Sequence, residues 1–158
     1  MGQLSISHSH GHAFCAFLKD ENVVLGADIE LIEPRKPVFV ADYFTDVERE
    51  RVAAVSAECQ PTLVTAIWSA KEAALKALHK GLSVDTRSVS CLIEPIETVS
   101  AEWQPFDIDI DRSRLPEAPD LTGIWCVFGR FVLTIATNAT PPFAVDEIMY
   151  GHNATCPQ

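Results

Sequence analysis

The chain has 158 residues, 47% of them hydrophobic and 22% charged, with a formal net charge of −10. That length suits a single domain able to bury a core, and the composition excludes a disordered chain. The acidity disfavours nucleic acid as a general partner, because such binding needs a basic footprint.

The charge is unevenly placed. Residues 1–80 carry 11 acids against 8 Lys and Arg, whereas residues 81–158 carry 11 against 4. Lys71, Lys76 and Lys80 crowd into one short segment, so an anionic small ligand stays possible. No eighteen-residue apolar run occurs, so no membrane partner is expected. The first residues lack a basic and then apolar export pattern, from which a cytoplasmic protein is expected. The five cysteines, without C-x-x-C spacing, point to free thiols rather than a zinc site.

In chain order, residues 4–10 alternate at period two and predict a strand, Gly11 a turn, and residues 12–18 a returning strand. After a polar turn at residues 20–22, residues 23–30 predict a third strand. Pro34 and Pro37 break regular structure. Thr45 with Glu48 fits a capping box opening a helix that runs to about residue 56. Pro61 suits a helix start, and apolar spacing carries that helix to Lys80, with Gly81 as its stop. Beyond it, residues 88–93, 98–103 and 106–110 predict strands and residues 111–120 an exposed loop. Residues 124–128 and 131–136 flank Gly129-Arg130, a two-residue hairpin turn. The expectation is one α+β domain over residues 1–150: an antiparallel sheet packed against one long helix plus shorter helices. Residues 151–158 are expected to fray.

Two segments carry chemistry. In Gly26-Ala27-Asp28-Ile29-Glu30, alternation puts Asp28 and Glu30 on one strand face. In Trp68-Ser69-Ala70-Lys71-Glu72-Ala73-Ala74-Leu75-Lys76, positions 68, 72 and 76 form one helical stripe. Adjacent carboxylates repel unless a cation lies among them, and hard oxygen ligands suit Mg²⁺ together with a phosphate. Each segment alone equally fits a solvated strand face or an ordinary Glu–Lys helix pair. His8, His10 and His12 would make a row of imidazoles if one strand held all three, but Gly11 interrupts it, and a metal role there is the lesser reading.

Together these segments resemble the 4′-phosphopantetheinyl transferases, marked by a G-x-D-I-E strand followed by a W-x-x-K-E-A helix with a further lysine. Phe44-Thr45-Asp46-Val47-Glu48 is similar to the family's F-[ST]-x-x-E segment. Ile6-Ser7-His8-Ser9, with residues 13–17, resembles the S-H-S hairpin of the surfactin-synthetase-activating type. The resemblance covers roughly residues 5–84.

It implies transfer of the phosphopantetheine arm of coenzyme A to a serine of an acyl or peptidyl carrier protein. Asp28, Glu30 and Glu72 would then hold Mg²⁺, while Lys76 would neutralise the transferred phosphate with help from Lys71. Ser7 and His8 would contact coenzyme A, and Glu48 would orient metal-bound water, although its capping-box place gives it an equal structural use. Either Glu72 or a metal-bound hydroxide would serve as base. Surfactin-type members have two similar halves and this chain resembles the second, so a homo-oligomer, trimer or dimer, is expected to complete the cleft. Charge steering of an acidic carrier is not expected, and Phe39, Val40 and Tyr43 are the guess for apolar docking. A non-catalytic remnant or partner-binding module retaining the fold is the alternative.

Overall fold

A computed structural model describes residues 1–95 and 100–140. It is α+β, as expected. A hairpin, β1 (Gln3–Ser9) and β2 (His12–Leu18), precedes β3 (Leu25–Leu31). Three helices follow, α1 (Pro37–Tyr43), α2 (Asp46–Ala54) and α3 (Gln60–Ala77). Strands β4 (Val89–Leu92), β5 (Gln104–Ile110), β6 (Thr122–Phe128) and β7 (Phe131–Thr137) complete the described fold.

The five-stranded sheet has the order β3-β7-β6-β5-β4, antiparallel throughout. Strands β4 to β7 form a meander that returns the chain to β3. Strands β3 and β4 are therefore opposite edges, and the connection between them carries all three helices across the sheet.

Along β3, Gly26, Asp28 and Glu30 face α3, whereas Leu25, Ala27 and Ile29 face the other way. Those three join two apolar clusters, with Phe14 and Ala16 of β2 and with Cys126, Phe131 and Leu133. The free edge of β3 is covered by side chains. The Ala27 N–H donates to Ser5 Oγ at 2.9 Å, and Lys76 Nζ donates to the Ala27 carbonyl at 3.1 Å. An edge strand left bare would expose such groups to another chain.

Helix α3 lies close on β3 because its inner face is small: Ala66, Ala70, Ala73, Ala74 and Ala77 are completely buried. The strand answers with Gly26, where a built Cβ would overlap the Ala73 carbonyl oxygen and stand 2.7 Å from the Ala77 nitrogen. Trp68 meets Glu30, Ser69 meets Asp28, and Ala73 meets Gly26, so the helix runs antiparallel to the strand. The two periods match: two strand residues rise about 6.6 Å and four helical residues about 6 Å.

Several boundaries differ from expectation. Helix α3 ends at Ala77 rather than Lys80. His79 takes φ +55, its N–H donates to the Lys76 carbonyl at 3.0 Å, and the Lys80 N–H donates to the Leu75 carbonyl at 2.9 Å. That is a Schellman closure with histidine where glycine is usual, three residues before the sequence-based end. Pro37 opens a short helix instead of only breaking structure, since a first-turn proline loses no helical hydrogen bond. Residues 100–103 form no strand; the expected strand's residues 98 and 99, like the tail at 151–158, lie outside the described residues. Pro105 fits inside β5 because, among the described residues, β4 pairs only with residues 107–110 and asks no N–H of the proline. The Gly129-Arg130 turn joins β6 and β7 as expected.

Candidate functional site

The site lies where α3 crosses β3. Asp28 is 3% exposed and accepts three hydrogen bonds. Ser7 Oγ donates to Oδ1 at 2.9 Å, Lys76 Nζ to Oδ1 at 2.7 Å, and Ser69 Oγ to Oδ2 at 2.8 Å. The Lys76 side chain keeps 30% of its surface exposed, so the site reaches solvent along that lysine.

Glu30 is pushed up to about 7, first by burial and then by the neighbouring Asp28 and Glu72 carboxylates. Arg35 and a hydrogen bond from Trp68 oppose that shift. Arg35 Nη2 stands 3.5 Å from Glu30 and 3.6 Å from Glu33, with its guanidinium 5.1 Å from the Phe39 ring centre. Glu72 is also raised, by burial and by Asp28, with Lys76 opposing. Its Oε1 is buried without a hydrogen-bond partner. An orphaned buried carboxylate oxygen is costly unless a ligand completes it.

Each raised carboxylate acts on stability. Between about pH 4.5 and pH 7, folded Glu30 still holds a proton that the unfolded chain has lost, so stability falls as pH rises through that window. Thermal melting of the metal-free protein should show this decline, and Glu30→Gln should flatten it. A wild-type melting temperature constant across the window would refute the burial of Glu30.

Sequence reasoning brought Asp28, Glu30, Glu72 and Lys76 together, and the structure places all four here. It redirects the others. Lys71 and Glu48 are each 0% exposed and pair with one another, Lys71 Nζ donating to Glu48 Oε1 at 2.9 Å and Oε2 at 2.7 Å. Lys71 also donates to the Val89 carbonyl at 2.6 Å. Glu48 accepts further from the Cys91 N–H at 2.7 Å and from the Thr45 N–H at 2.8 Å, the latter being half of the expected capping box. Every charge is spent internally, which corrects Lys71 as a cofactor contact and gives Glu48 the structural use its position offered. Burial also pushes the Cys91 thiol up.

Ser7 and His8, both implied as coenzyme A contacts, point to opposite faces of the hairpin. Successive strand residues face opposite ways, so Ser7 is buried on Asp28 while His8 is exposed on the hairpin's outer face. The histidine row does not form, because His10 and Gly11 turn the chain with φ +46 and +77, and the His12 ring packs 4.5 Å from that of Phe131.

Among the described residues, no three His, Cys, Asp or Glu side chains stand close enough together to enclose a metal ion. Internal donors occupy Asp28 instead. The donor set still fits a hard divalent cation: it consists of carboxylates, two of them raised by burial and by the Asp28 charge, and one oxygen lacks a partner.

Sequence reasoning missed Ser69, Thr134 and Arg35. Ser69 lay inside the quoted helix motif and gave a signal; Thr134 gave none, because only the β3–β7 register sets it opposite Asp28. Beside the acids, Phe39, Asp42, Tyr43, Trp68, Leu82 and Val84 line a groove. Of the expected docking trio, Tyr43 is exposed, whereas Phe39 packs on Trp68 and Phe44 and Val40 packs on the core; Val38 and Leu82 are exposed nearby.

No helix among the described residues is long and apolar enough to cross a membrane. A family model described as the 4′-phosphopantetheinyl transferase superfamily matches residues 24–135. That span runs from β3 into β7 and includes every acid of the site. No curated protein matches the chain.

Proposed function

Because the chain belongs to the 4′-phosphopantetheinyl transferase superfamily, we propose that it moves the phosphopantetheine arm of coenzyme A to a serine of an acyl or peptidyl carrier protein. The observation that carries this reading is that Asp28 and Glu30 of β3 face Glu72 and Lys76 of α3, within the matched segment. The serine oxygen forms a bond to the β-phosphorus, the diphosphate P–O bond breaks, and adenosine 3′,5′-bisphosphate leaves. Such a transfer asks a protein mainly for positioning and charge neutralisation.

Asp28, Glu30 and Glu72 would hold Mg²⁺, which when bound neutralises charge on a diphosphate. Lys76, held by Asp28 Oδ1 and the Ala27 carbonyl, presents its ammonium on the open side, where a phosphate oxygen can replace the carboxylate as partner. Glu72, whose buried Oε1 has no hydrogen-bond partner, is the candidate base for the serine proton. A homo-oligomer is supported by the hairpin's outer face, where Leu4, Ile6 and Phe17 are 59%, 48% and 62% exposed. Light scattering that returns a monomer at working concentration would count against it.

The direct test is incubation with coenzyme A, Mg²⁺ and a panel of apo carrier proteins. A carrier mass gain equal to one phosphopantetheine is expected, lost without divalent cation and reduced at least tenfold by Glu72→Gln, as for other positioned acid–base groups. No gain on any carrier would overturn the reading. The saturation of Asp28 by internal donors favours a second reading, a non-catalytic module that retains the fold. Melting separates the two: a ligand at 100 times its Kd adds about 2.7 kcal/mol, and a module without the site shows no shift with coenzyme A and Mg²⁺.

A further inference from the structure

Asp28 is held differently at its two oxygens. Among the described residues, Oδ1 takes Ser7 and the partly exposed Lys76, whereas Oδ2 takes only Ser69. Ser69 Oγ also lies 2.9 Å from Thr134 Oγ1, and both residues are 0% exposed. A hydroxyl has one proton. With the Ser69 proton given to Asp28, Thr134 must donate to Ser69. The chain Thr134→Ser69→Asp28 is therefore directed, and it joins β7, α3 and β3 at the point where the β3–β7 register pairs Asp28 with Thr134.

We propose that Ser69, backed by Thr134, is a positioning residue that holds Asp28 Oδ2 and so fixes the rotation of the carboxylate for a divalent cation. The inference rests on the transfer reading for its purpose. A carboxylate free to turn about its last torsion would present either oxygen, and each rotation averted is entropy that binding does not lose. Ser7 does not duplicate this, because it donates to the other oxygen, together with Lys76. A purely structural hydroxyl pair would lower stability on removal but leave the cation affinity of the folded protein unchanged.

Mn²⁺ titration followed by electron paramagnetic resonance, with coenzyme A present, tests this on the full chain without recourse to turnover. Ser69→Ala should weaken Mn²⁺ binding by about 10- to 100-fold, the usual effect of removing a partner that orients a metal ligand. The Mg²⁺ concentration for half-maximal transfer should rise by the same factor, while KM for the carrier stays within about twofold. Ser69→Thr, which keeps the hydroxyl, should restore wild-type affinity. If Ser69→Ala does not fold, Thr134→Val against Thr134→Ser carries the same comparison, with a smaller loss expected because Ser69 remains. Wild-type Mn²⁺ affinity in a folded Ser69→Ala or Thr134→Val protein overturns the positioning role, as does a wild-type protein that binds no Mn²⁺. Mn²⁺ binding weakened by Ser69→Ala in a protein that transfers nothing would remove the transfer reading and leave the positioning role standing.

Discussion

Lys71→Ala should cost about 3–5 kcal/mol of stability, because it strands the Glu48 carboxylate in a site without solvent. In a chain of this size each kcal/mol lowers the melting temperature by about 2–4 °C, so a drop of roughly 6–20 °C is expected. The cost comes from the charge left behind more than from the attraction lost. Glu48→Leu combined with Lys71→Met should accordingly recover part of the stability. It should not recover all of it, since the Cys91 and Thr45 N–H groups and the Val89 carbonyl lose their partners too. A Lys71→Ala protein within about 1 kcal/mol of wild type would show that the pair is solvated or uncharged. The same variant separates two roles for Lys71. Assayed well below its melting temperature, it should transfer at near wild-type rate, because the ammonium reaches no ligand; a folded but inactive variant would reinstate the cofactor contact implied by the family resemblance.

Gly26→Ala is the second large effect. The methyl group would overlap the Ala73 carbonyl oxygen and press on the Ala77 nitrogen, both backbone atoms that cannot rotate away. Overpacking of this kind costs about 1–3 kcal/mol where side chains can adjust. Here α3 must lift from β3, and at least about 3 kcal/mol is expected. Lifting the helix also separates Ser69 and Lys76 from Asp28, which they now reach at 2.8 and 2.7 Å. Stability and Mn²⁺ binding should therefore fall together in Gly26→Ala. Full cation affinity in a destabilised protein, or wild-type melting, would show that the strand and helix do not rely on this close approach.

Of the candidate site, the local part was legible in the sequence. Alternation put Asp28 and Glu30 on one face, and helical spacing put Trp68, Glu72 and Lys76 in one stripe. Both hold because each period is fixed by backbone geometry alone. Misreadings arose where the same local signal served a different partner. Lys71 stands beside Glu72 in sequence, yet a helix turns adjacent residues about 100° apart, so one faces the core beneath α2 and β4 while the other faces the ligand side. Ser7 and His8 were parted in the same way by strand alternation.

Length, charge and periodicity by themselves determined an α+β chain with a carboxylate strand and a carboxylate–lysine helix, since these are properties of neighbouring residues. Only the tertiary structure decided which donors meet each oxygen of Asp28, that Glu48 answers Lys71, and that Thr134 stands behind Ser69. Those contacts join residues between 21 and 65 positions apart. The order of strands around the sheet and the close seat of α3 on Gly26 bring such residues together, and neither leaves a mark in any local stretch of sequence.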